Sequence, residues 1–120
     1  MYRADIEGTD LAVTPLKESD IQRWSADLGM PRGALYDLLA LHLASGFHRN
    51  ELPFRFCDHV ATDISGVIVL ANEALPNLFW SVYLAFDKGE YYHGNDRTEN
   101  PVDAYTRPMI AKIINQFGPP

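Results

Sequence analysis

Residues 31–45 constrain this fold more than any other stretch. Leu35, Leu38, Leu39 and His42 fall on one helical stripe, and Leu41, Leu43 and Ala44 extend the apolar surface nearly all the way round. A helix with one apolar face can lie at a surface, but a helix apolar on most sides has to be surrounded. The pattern therefore predicts a central helix that begins after Met30-Pro31 and stops at Gly46, with Phe47 folding back on its last turn. The rest of the chain must supply the walls.

Helical walls are what the flanking sequence offers. Upstream, Thr14-Pro15 and a Ser19/Gln22 capping box open a helix whose Ile21, Trp24 and Leu28 share a face, with Gly29 placed to stop it. After a polar loop ending in Pro53, a third helix is predicted from Phe54 or Arg55 to Ala74, with Phe56, Val60, Ile64, Val67 and Leu70 or Ala71 as its stripe. The β-branched run around Gly66 leaves a break to strand as the alternative. Continuous helix is preferred because no turn signal follows before Pro76. A last helix is predicted over 103–117, with Tyr105, Met109, Ile113 and Phe117 in line. Pro108 is tolerated only in its first turn, which allows a start as late as Thr106. Residues 1–13 read as a polar, loosely attached arm. The expectation is a single, mainly α domain over 1–120, a small bundle of four to five helices.

Residues 76–93 combine dense aromatics with an acidic, glycine-punctuated end. As a helix opening at Pro76, they put Leu78, Phe79, Val82, Tyr83 and Phe86 on one stripe and leave the Trp80/Leu84 pair opposite it. As a strand, Leu78, Trp80, Val82, Leu84 and Phe86 share a face, and Asp87–Glu90 turns the chain into a β-hairpin over 78–93. The proline start and Lys88-Gly89 end favour helix. The hairpin stays open as the alternative.

With Lys and Arg at 10 against 16 acids, the formal charge is −6, which argues against nucleic acid and suits a basic protein partner. Cys57 is the sole cysteine, so no intrachain disulfide forms, and the start of the chain has no apolar core of the signal-peptide kind. No uncharged apolar run is long enough to span a membrane. A cytoplasmic protein is the expectation. His59 and Asp63 share a helical face at i, i+4, and with His93 they form the alternative of a small metal-binding domain or metal-dependent enzyme, although no paired His-x-x-x-His or Cys-x-x-Cys supports it. Cys57 and His59 point apart on a helix and make no nucleophile–base pair. No phosphate-binding glycine motif is present. The sequence supports neither an enzyme nor a cofactor.

Surface recognition remains. Trp80, Tyr91 and Tyr92 are candidate anchors, with Glu90, His93, Asp96 and Glu99 as a charged surround. Over residues 90–117, Glu90-Tyr91-Tyr92, the acids through Asp96 and Glu99, Pro101 and a closing helix resemble the recognition region of colicin-type nuclease immunity proteins. Where that family has proline after the tyrosines, this chain has His93, and residues 1–75 show no correspondence. The resemblance implies a toxin-neutralising protein that occludes a basic partner, with Tyr91 and Tyr92 as anchors. A structural homodimer built on the Trp80/Leu84 patch is a further alternative.

Overall fold

Residues 16–90 and 100–117 are described by the computed structural model. Five α-helices lie within them: α1 (Glu18–Leu28), α2 (Arg32–His48), α3 (Phe54–Leu70), α4 (Asn77–Asp87) and α5 (Arg107–Phe117). A π-helical turn, Val102–Thr106, runs directly into α5. No strand occurs among the described residues, and residues 78–87 are helical, so the hairpin alternative does not form. None of these helices is long and apolar enough to cross a membrane.

The apolar helix is the hub. α2 packs against α1, α3, α4 and α5, and it buries Leu35, Tyr36, Leu39, Ala40, Leu43, Ala44 and Phe47. Its most buried stripe is displaced from the expected one, because Leu38 and His42 are only half-buried. Gly46 does not end it. The helix continues to His48 and closes where Asn50 takes a left-handed φ of 59°. Leu52 then folds back over Gly46, and the amides of Glu51 and Leu52 both donate to the Gly46 carbonyl. A Cβ at residue 46 would collide with the Leu52 side chain, so this glycine serves a close approach and not a stop.

The walls follow from similar local causes. α1 opens where the Lys17 amide donates to Asp20 Oδ2 at 2.9 Å, in place of the expected Ser19/Gln22 box. It ends at Gly29, whose φ of 60° is left-handed. Ile21 and Trp24 are buried, whereas Leu28 is exposed. α3 stays helical through Gly66 but stops at Leu70, short of Ala74, because Asn72 turns left-handed (φ 56°). α4 opens after Pro76, and Asp37 of the central helix accepts the Phe79 amide at 2.9 Å, satisfying a donor that its own first turn cannot.

Pro108 lacks the N–H that would bond back to Ala104, and its ring crowds that carbonyl. The chain widens into the π turn just before it, and regular α-helix starts at Arg107. This turn buries Thr106, which donates its hydroxyl to the Ala85 carbonyl at 2.7 Å. Gly89 lies so close to Thr106 and the Phe54 ring that a Cβ there would strike both. Beneath this corner Phe86 packs edge-on to Phe47, centroids 5.5 Å apart, and 6.2 Å from Phe54.

Candidate partner-binding surface on the α3–α4 hairpin

Trp80, Tyr83 and Asp87 recur at i, i+3 and i+7, which puts them on one face of α4. That face borders the stripe of Phe79, Val82, Ala85 and Phe86 that enters the core, with Tyr83 half-buried against it and Trp80 turned outward. Trp80 is 39% exposed. Its indole stacks on the Tyr83 ring, centroids 5.3 Å apart and planes inclined by 16°. Tyr83 stacks in turn on buried Phe79 at 6.2 Å, so the exposed indole rests on an aromatic column rooted in the core.

Carboxyls gather toward the other end of α4. Asp58 comes from α3, Asp87 from the last turn of α4, and Glu90 follows shortly after. Partial desolvation pushes the Glu90 carboxyl up to about 7, reinforced by its hydrogen bond to Asp87 and by the charges of Asp58 and Asp87. Asp58 is raised by burial and by Asp87, while the neighbouring His59 pulls it down. Tyr83 is raised as well, by burial first and then by the charges of Asp87, Glu90 and Asp58. Tyr83 is therefore the link: it touches the indole on one side and feels all three carboxyls on the other.

Of the residues expected to bind a partner, Trp80 is exposed and Glu90 belongs to the carboxyl cluster. Tyr91, Tyr92, His93, Asp96 and Glu99 lie outside the described residues. Tyr83 is half-buried and packs against the core, as its place on the expected stripe implies, and it also touches Trp80; Asp58 and Asp87 were not among the expected binding residues. The i, i+3, i+7 spacing of Trp80, Tyr83 and Asp87 was the signal that pointed to Tyr83 and Asp87. Leu84 is half-buried and lines a separate groove of about 330 Å³ with Met109, Ile113 and Phe117.

The metal alternative is not assembled by the described residues. Asp63 accepts the Leu16 amide at 3.1 Å, His59 is exposed, and His93 lies outside the description. Among the described residues no three His, Cys, Asp or Glu side chains are placed to hold a metal ion. Cys57 is buried on α3 and points its thiol at the Leu43 carbonyl, 3.6 Å away. Burial, with help from Asp58, pushes that thiol up to about 12. Thiolate is the reactive form, so iodoacetamide at pH 8 should alkylate native Cys57 at least about 100-fold more slowly than the chain unfolded in guanidinium. Equal rates in the two states, read by mass spectrometry, would contradict this placement.

No family model, curated protein or solved structure matches this chain.

Proposed function

We propose that this chain is a protein-binding domain that takes a basic partner on the α3–α4 hairpin. It would act by occlusion, as a toxin-neutralising protein of the immunity kind, within the cytoplasm. One observation carries the reading: an exposed indole stacks on Tyr83, and that tyrosine lies within the field of three carboxyls on the same helical hairpin. Tryptophan and tyrosine held rigid at a surface are the side chains that most often dominate binding energy. Carboxylates around them steer a positively charged partner and set its orientation. The acidic balance of the whole chain acts in the same direction. In sequence, Tyr91, Tyr92, Asp96 and Glu99 continue the same chemistry directly after Glu90.

The test is affinity capture from native lysate at low salt, comparing the wild type with Trp80→Ala and Asp87→Asn. One basic protein should be retained and then released by about 0.5 M salt, at which charge pairing is screened beyond a few ångströms. Trp80→Ala should weaken its retention by at least about ten-fold, as expected of an anchor, with an unchanged far-UV circular dichroism spectrum. Failure to capture a basic protein, or retention indifferent to Trp80, overturns the reading. A doubled mass in light scattering that Trp80→Asp halves would assign this face to self-association instead.

A further inference from the structure

A groove of about 460 Å³ lies between the start of α1 and the outer face of α3, lined by Leu16, Asp63, Gly66, Val67, Leu70 and Ala71. Asp63, Gly66 and Leu70 are spaced by three and four residues, so they form one stripe along α3. The carboxylates at this groove already have partners. Asp63 accepts the Leu16 amide at 3.1 Å, and Glu18 is held by Arg32. The aliphatic surface is what stands open. Leu70 is 90% exposed, and a Cβ built on Gly66 would meet nothing within 4 Å. Such a groove suits an apolar segment of chain better than a charged ligand.

This chain delivers one to the spot. Leu16 lines the groove and is tied to Asp63, so the residues before it start from the groove itself. The α3 side of the groove runs from Thr62 to Ala71, which puts nearly all of it on the Leu70 side of Asp63 and sets a direction. Pro15 fixes its own φ and biases Thr14 toward extended backbone. Alternate side chains of an extended chain share a face, which pairs Val13 with Leu11. Three extended residues carry Val13 about 10 Å from Leu16. From Asp63 to Leu70 the rise along α3 is also about 10 Å. We infer that Leu11-Ala12-Val13 is an intramolecular strap seated in the α1–α3 groove, with Thr14-Pro15 crossing Gly66 and Val13 set against Leu70. The missing side chain at Gly66 leaves room for that crossing. Val13 and Leu70 leave water together, while Pro15 lowers the entropy lost in ordering the strap. The strap covers the most exposed leucine of the helices, which would otherwise offer an apolar patch to a second molecule.

The test uses the full chain with labelled leucine and valine methyls. In the wild type, nuclear Overhauser contacts should join the methyls of Val13 and Leu70. Gly66→Leu fills the crossing point and favours helix over glycine, so α3 is kept while that contact should be lost. The double variant Leu11→Asp, Val13→Asp should keep the far-UV circular dichroism spectrum and raise the fluorescence of a dye that binds apolar surface. No contact between Val13 and Leu70 in the wild type, or a contact that persists in Gly66→Leu, overturns the inference. Equal dye fluorescence in the wild type and the double variant does the same. A doubled mass in light scattering that Leu70→Asp halves would give the groove to a second copy and overturn it too.

Discussion

Replacing Phe86 by Ala should lower the stability of the domain by about 4 kcal/mol and its Tm by roughly 15 °C. The ring is fully buried at the point where three helices and the π turn meet. It packs edge-on against Phe47 and close to Phe54, so truncation removes transfer energy and both aromatic contacts together. The cavity cannot collapse easily, because Gly89 is already pressed against Thr106 and Phe54, and Thr106 is tied to the Ala85 carbonyl. Urea denaturation followed by circular dichroism measures the loss. A cost below about 1.5 kcal/mol, the range of a tolerated core swap, would mean that the α2–α4 core is looser than described.

The second large effect lies at the opposite end of the central helix. Arg32 donates two hydrogen bonds to Glu18 at 2.6 Å, reaches Glu73 at 3.1–3.3 Å, and donates to the Tyr36 hydroxyl at 2.9 Å. Tyr36 donates in turn to Glu73 at 2.6 Å. One guanidinium thus ties α1, α2 and the α3–α4 connection together. The pair with Glu18 is exposed enough to be worth little. The half-buried Arg32–Tyr36–Glu73 part carries the value, and Arg32→Ala should cost roughly 2–3 kcal/mol.

Titration supplies a readout that a loss of packing would not reproduce. The Arg32 hydrogen bond holds the Glu18 carboxyl below its ordinary range. Burial pushes Glu73 up, but hydrogen bonds from Tyr36 and Arg32 outweigh it and leave that carboxyl low as well. Both groups bind protons more weakly folded than unfolded. Their stabilisation is therefore complete above the ordinary value of 4.5 and is lost as pH falls through the lower, folded values. Between about pH 5 and pH 3 the wild type should lose stability more steeply than Arg32→Ala. Parallel acid profiles would remove the network from the account.

How much of this was legible in the sequence depended on whether local or distant partners set the outcome. The apolar girth of residues 31–45 identified the hub, because burial on several sides needs apolar residues on several sides. Gly29 was read correctly, since a left-handed helix stop is a local event. Gly46 was misread because its reason is Leu52, a contact that spacing alone does not reveal. The true stops at Asn50 and Asn72 use asparagine's tolerance of left-handed backbone, a weaker signal than glycine. At the proposed binding surface, Trp80 stood out by its position opposite the core stripe. Asp58 did not, because its proximity to Asp87 and Glu90 arises only when α3 folds back on α4.

The central position of α2 also shapes how the chain is made. Translation proceeds at roughly 5–20 residues per second, and α2 ends at His48 whereas α5 ends at Phe117. The helix with the most buried residues therefore leaves the ribosome seconds before its last wall exists. During that interval α1 covers only one side of it, and the surfaces meant for α3, α4 and α5 stand open to water or to other nascent chains. A hub that precedes three of its four walls makes the fold dependent on prompt completion, and pausing between α2 and α5 becomes the moment of greatest exposure to misassembly.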